Sequence, residues 1–192
     1  MSALDDAPQV QPGTRSAWRA WLEGNHAAAK SVWLVLWRPG ARQGDLDYEA
    51  AIEEALCYGW VDSTAGTVDA ERTRLYFAPR KPRSGWAATN KARIERLIRD
   101  GRMAPAGLAV IDRAKEDGSW MLLDTVERLE VPEDLSSALA AAPPAAANFA
   151  AFPPSARKQM LGWVALARRT ETRAARVAKI AESAARNERA QG

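Results

Sequence analysis

The 192 residues contain one cysteine, Cys57, and one histidine, His26. A lone thiol closes no internal disulfide, and the common zinc sites need several thiolates or imidazoles. A disulfide scaffold and a zinc centre are therefore excluded, while an all-carboxylate site for a harder metal stays open; no metal is expected. No apolar run reaches 18 residues, which rules out a transmembrane helix. Residues 1–11 carry Asp5 and Asp6 but no basic segment followed by an apolar one. They read as a short disordered lead rather than a signal peptide, and the expected compartment is the cytoplasm. The glycines stand singly, and neither G-x-G-x-x-G nor a Walker pattern occurs, so no nucleotide cradle and no cofactor are expected. Phe and Tyr are scarce, three of each, against eight Trp. Aromatic area is thus concentrated in a flat, donor-bearing ring suited to a core wall or a pocket lining.

What is present is a globular composition, 47% hydrophobic and 27% charged, of a length for one buried domain with a small helical appendage. The charge comes in blocks: −5 over residues 1–70, +7 over 71–102, −5 over 103–150 and +6 over 151–192. Such alternation either offers basic segments to an anionic partner or lets the blocks neutralise one another. The near-neutral total of +3 favours the second.

Periodicity supplies the elements. Trp18, Trp21 and Leu22 mark a helix over residues 15–24, and the apolar run Ser31-Val-Trp-Leu-Val-Leu-Trp37, stopped by Pro39 and Gly40, marks a buried strand. Asp47 is placed to cap a helix with Ala51, Ile52, Ala55 and Leu56 on one face, ending near Gly59. Two strands follow, one from Trp60 and one over residues 73–78, joined by a turn around Gly66. Ser84 is expected to cap a helix with the stripe Ile94, Leu97 and Ile98, and Pro105 to open another that Gly118 closes. Proline and alanine then dominate, a flexible or weakly helical texture. Pro153 and Pro154 open a helix with Met160, Trp163, Val164 and Ala167, and Thr170 is placed to cap a last one with Val177, Ile180 and Ala184. The expected fold is α+β, a small mostly antiparallel sheet packed with helices and followed by a helical hairpin. Its parts are a lead at 1–13, an α+β domain at 14–128, a connector at 129–152 and a helical module at 153–192.

Few residues invite a catalytic reading. Cys57 sits near a helix end, where the dipole disfavours a thiolate, so it is expected as a small core residue, and His26 as a capping or surface residue. Glu49, Glu53 and Glu54 offer paired carboxylates, for which a solvated acidic face is the expectation. Arg93, Arg96 and Arg99 fall within about 120° on a helix, opposite its apolar stripe, and form a candidate anion surface. Arg80 and Lys81 lie at a strand-to-helix turn beside Ser84, Trp86 and Asn90. With Asp62 and Ser63 they form the best candidate pocket: Asp62 and Ser63 orient Arg80 or Lys81, Trp86 is an apolar wall, and Asn90 reads a polar group. Arg173 points along an apolar helix face, where it needs a carboxylate or an anion; an ion pair to the main domain is expected.

These residues resemble a known family. The run Ala55-Leu-Cys-Tyr-Gly-Trp-Val-Asp-Ser63, then Phe77-Ala-Pro-Arg-Lys81, Ser84-Gly-Trp86, Asn90-Lys91 and Gly101-Arg-Met103, is similar to the YdeI/OmpD-associated, or bacteriocin-protection, family of bacterial proteins. So is the tail, with Trp163, Ala167, Glu171-Thr-Arg173 and Arg176. The resemblance spans about residues 15–180; Ala87 departs from it, standing where the family often has a hydroxyl residue. It implies an α+β domain with a C-terminal helical module and a role in tolerance of antimicrobial peptides or bacteriocins. It supplies no reaction and no catalytic residue. The expectation is a binding or protective protein for a small anionic ligand or a protein partner. Two rivals are a nucleic-acid binder using the basic helix faces and an enzyme with Asp62 as general base, for which no matched acid, nucleophile or cofactor motif is visible.

Overall fold

The structure, a computed structural model, describes residues 6–41 and 43–190. Of the expected lead, residues 1–5 lie outside the described residues, and so do 191–192 of the helical module. The chain divides into two compact units, Met1–Arg83 with Thr89–Asp117, and Ser84–Ala88 with Gly118–Gly192.

In the first unit, β2 (Val32–Trp37) is the apolar run, and five of its six residues are buried. Its two edges are taken by β1 (Gln9–Val10), parallel, and β4 (Arg72–Pro79), antiparallel, and β4 also pairs with β3 (Trp60–Thr67). The sheet order is β1-β2-β4-β3, mostly antiparallel as expected. Residues 9–10, expected in a disordered lead, are a strand because the unpaired edge of β2 offers them a ladder. Gly66 lies inside β3, not at the turn. The turn is made by Asp69, whose Oδ1 accepts the N–H groups of Glu71 and Arg72 at 3.0 and 2.8 Å, a side-chain bond that outcompetes a glycine for the reversal.

Among the described residues four α-helices accompany this sheet in the first unit. Thr14 caps α1 (Arg15–Asn25), accepting from the Ala17 N–H at 3.2 Å, and Asp47 caps α2 (Tyr48–Cys57), accepting from Ala50 at 2.8 Å. Trp18 is fully buried between α1 and α2, stacked on Trp21, and its Nε1 donates to the Ala51 carbonyl at 3.1 Å. Trp60 and Phe77 close the same core, 1% and 0% exposed. Helix α3 (Ala88–Arg99) begins three residues later than a Ser84 cap requires. The reason is Trp86, which is 2% exposed against Trp120, so packing of the indole holds residues 84–87 out of the helix. Helix α4 (Pro105–Glu116) closes against the end of α2: a Cβ at Gly107 would overlap the Cys57 carbonyl. Only glycine permits that approach.

The second unit is helical: α5 (Asp124–Glu127), α6 (Glu133–Ala140), α7 (Ala145–Ala151), α8 (Pro154–Ala165) and α9 (Thr170–Ala185). The stretch 129–152, expected as a connector, holds two helices, α6 and α7, that pack on α9. Leu135, Leu139, Ala145 and Phe149 are all buried there with Val164 and Ile180. The α8–α9 hairpin has one apolar side left over, and α6 and α7 cover it. Of the five Trp expected on buried faces, Trp18 and Trp33 are buried, while Trp21, Trp37 and Trp163 are half-buried.

Candidate functional site

The acidic face of α2 is not solvated. Glu53 and Glu54 are 5% and 1% exposed, and the whole helix from Ala50 to Cys57 is buried. Glu54 accepts from Arg15 Nε at 2.6 Å, from Arg19 Nη1 at 2.8 Å and from Arg102 Nη2. Glu53 accepts from Arg15, Arg96 and Arg102, and Glu49 holds Arg93 in a two-pronged pair at 2.9 and 2.7 Å. The helix turns three carboxylates toward α1, α3 and the start of α4, and those segments answer with arginine. A buried carboxylate persists only when its lone pairs are met this way. Burial pushes the Glu53 carboxyl up, but the hydrogen bonds from Arg96 and Arg15 outweigh it and hold it below the ordinary range. Arg93 does the same for Glu49.

Among the described residues, five guanidinium groups meet three carboxylates in this cluster, leaving two positive charges in excess. All five keep solvent access, from 20% at Arg93 to 45% at Arg96. The expected anion surface Arg93, Arg96 and Arg99 therefore has two members committed to α2, and Arg99 is exposed on α3. Arg15 and Arg19 escaped the sequence reading, and Arg102 entered it only within the motif Gly101-Arg-Met103, with no role given to it. Their only signal was arginine on helix α1 and at a helix end, with no hint that both face α2.

Beside the cluster, part of the expected pocket converges. Arg93 Nη1 donates to Asn90 Oδ1 at 2.8 Å, and Tyr48 Oη lies 3.5 Å from Asp62 Oδ2. Burial pushes the Arg80 guanidinium down to about 10, and the charge of Asp62 acts against that shift. Burial, followed by the Asp62 charge, raises the Tyr48 phenol, and Arg93 opposes the rise. Asp62, Arg80, Asn90 and Arg93 thus belong to one polar neighbourhood of the first unit, with Tyr48 as an unforeseen member. Ser63 is exposed at the bulge between Asp62 and Ala65, and Lys81 is exposed just after β4. Ser84 and Trp86 belong to the second unit, where Trp86 packs on Trp120 with ring centroids 5.0 Å apart. The apolar wall assigned to Trp86 is core.

Tyr48 and Glu49 also line an open cleft of about 560 Å³ with Leu36, Trp37, Arg38, Pro39, Asp47 and Thr73. In the second unit a hollow of about 510 Å³ between α5 and α8 is lined chiefly by Leu123, Val126, Met160, Trp163 and Leu166, with Lys158 tied to Glu127 at its rim. Arg173 is paired, as expected, but with Asp134 of α6, at 2.6 and 3.0 Å, not with a residue of the first unit. Cys57 is buried, which pushes its thiol up and away from a nucleophile's range. His26 turns Nδ1 to the Leu22 carbonyl at 2.9 Å. Among the described residues no group of three or more His, Cys, Asp or Glu is arranged to hold a metal ion, and no helix is long and apolar enough to cross a membrane.

Comparison with known families divides the chain much as the fold does. Residues 10–110, just over half of the chain, match the model of a domain of unknown function, DUF8412. The chain belongs to the DUF8412 family. Residues 128–187 match the OmdA model, described as bacteriocin-protection, YdeI or OmpD-associated. The expected resemblance, read over about residues 15–180, is narrowed to the OmdA module, which spans α6 to α9; the motif run from Ala55 to Met103 falls instead in the DUF8412 domain. No curated protein and no solved structure matches the chain. The arginine–carboxylate cluster, the Asp62–Tyr48 neighbourhood and the cleft all lie in the DUF8412 domain, and Arg173 lies in the OmdA module.

Proposed function

We propose that this chain is a bacterial cytoplasmic protein of bacteriocin protection whose DUF8412 domain binds a small anion at the arginine face around Glu49. The protective role is supported by the OmdA match at residues 128–187, and the compartment by the lone cysteine, which sits buried in the core. The binding role is carried by one observation, the two guanidinium charges in excess over Glu49, Glu53 and Glu54 at a surface with solvent access. Arg96 reaches Glu49 and Glu53 while half-exposed, so it has donors facing water. Arg93 is held in place by Glu49 and Asn90. Planar guanidinium groups oriented by carboxylates behind them are pre-organised for carboxylate or phosphate. Arg80 adds positive charge beside Asp62.

The test is calorimetric titration of the full chain with inorganic phosphate at low ionic strength. Saturable binding that weakens at least fivefold in Arg96→Gln is expected; absence of binding in the native chain contradicts the proposal. In cells, expression in a bacteriocin-sensitive bacterium is expected to raise survival, and Arg96→Gln to reduce that gain. Nucleic-acid binding draws less support, because Glu49 and Glu53 offset the charge of Arg93 and Arg96 and leave a small local excess rather than an extended basic face.

A further inference from the structure

The hollow of the second unit follows one face of α8. Ser155, Lys158, Gln159, Gly162, Trp163 and Leu166 recur at the three- and four-residue spacings of a single helix face, and Leu123 and Val126 of the α5 segment complete the lining. That face is left open: Leu166 is 46% exposed and Trp163 half-buried. Charge within the lining cancels, because Lys158 donates to Glu127 at 2.7 Å. The uncancelled charge stands at the edge. Arg176 and Lys179 of α9 both lie over the ring of Trp163, 5.1 and 5.8 Å from its centroid, and among the described residues neither makes an ion pair. Their own helix supplies them no acid. Glu182 is held by Arg186, and Glu171, five residues before Arg176, falls outside the spacings that bring helix side chains together. Two like charges three residues apart repel; the negative face of the indole holds them there, and a counter-ion completes the arrangement.

We infer that this hollow binds a single-chain amphiphile with an anionic head, its chain along the α8 face between Val126 and Leu166 and its head at the edge, facing Arg176 and Lys179. The site is separate from the arginine face of the first unit and does not depend on it. The wall of Leu123, Val126, Met160, Trp163 and Leu166 asks for an apolar chain, and the two cations beside Trp163 ask for a negative head. A cationic amphiphile meets two like charges at the edge and finds Glu127 already engaged by Lys158. A neutral one leaves those charges uncompensated. A volume of about 510 Å³ is that of a small-molecule site and takes one chain rather than the two of a bilayer lipid.

Decanoate, 1-decanol and hexanoate, each titrated into the full chain at neutral pH and below its aggregation concentration, test this. Saturable one-to-one binding of decanoate is expected, about tenfold or more tighter than hexanoate, whose shorter chain removes less apolar surface from water, and about threefold tighter than 1-decanol, which has the chain without the charge. Lys179→Gln, at an exposed position, is expected to lower the preference for decanoate over decanol and to leave decanol binding unchanged. Leu166→Ser, also at an exposed position, is expected to weaken both about fivefold. Absence of saturable decanoate binding, equal affinities for decanoate and decanol, or affinities that neither variant changes overturn the inference. Binding of inorganic phosphate, which tests the arginine face of the first unit, is expected to be the same in both variants as in the native chain, so the two readings fail separately.

Discussion

The clearest lesson at the scale of residues is Glu54. In the sequence it is the third carboxylate of an ordinary amphipathic helix, and nothing in its neighbours marks it as buried. Its setting is made by residues 35 and more positions away, Arg15, Arg19 and Arg102, which no local pattern can pair with it. Removing it leaves three partly exposed guanidinium groups facing a desolvated void. Glu54→Ala is expected to destabilise the fold by about 3 kcal/mol in urea denaturation, less than for fully buried partners because solvent screens the arginines. Glu54→Gln, which keeps the shape and some acceptors, is expected to lose less. A loss under about 0.5 kcal/mol for Glu54→Ala would show that the cluster is a surface arrangement. The polar neighbourhood of Arg80 and Asn90 was foreshadowed in the sequence because turn chemistry and charge coincide there. Trp86 was misplaced because a tryptophan beside polar residues looks the same whether it walls a pocket or seals a core.

Among the elements, strands and long helices were readable from period and caps: β2 from its apolar run, α1 from Trp18, Trp21 and Leu22, α2 from Asp47, α4 from Pro105. What escaped were elements whose reason is tertiary. Strand β1 exists because β2 has an open edge, and α6 and α7 exist because α9 has an apolar side to cover. The prolines that flank α6 and α7 looked like breaks in structure and are helix starts. The OmdA module therefore depends on α6 through packing first and through the Asp134–Arg173 pair second. Leu135, fully buried, is expected to cost about 3 kcal/mol on replacement by alanine, whereas Asp134→Asn, at a pair exposed by 42% and 35%, is expected to cost under about 1 kcal/mol. Thermal denaturation of the two variants compares them directly, and an inverted order would mean that charge, not packing, seats α6.

Across the whole molecule, the four charge blocks find their use. The first acidic block meets Arg93, Arg96 and Arg102 of the first basic block, and the second acidic block meets Lys158 and Arg173 of the second. The near-neutral total foreshadowed this internal pairing; its geometry was not legible, because block charge carries no direction. Such pairing makes stability sensitive to acid. Glu49, Glu53 and Asp134 are all held below their ordinary values, 4.5 for the glutamates and 3.8 for the aspartate, by arginine. A carboxylate depressed in the folded state contributes its full stabilisation above the ordinary value and loses it as pH falls through the folded one. Stability is therefore expected to be flat with respect to these groups near neutrality and to decline from about pH 4.5 downward, which urea midpoints from pH 7 to pH 3 would follow. The proposed anion site rests on the incomplete pairing around α2, where five guanidinium groups meet three carboxylates. The most direct measurement is an NMR titration of the arginine Nε–H signals with inorganic phosphate at low ionic strength. Saturable shifts confined to the first unit, largest at Arg93 and Arg96, are the result this account requires. Shifts that never saturate, or that are equally large at Arg173 and Arg186 in the second unit, would contradict it.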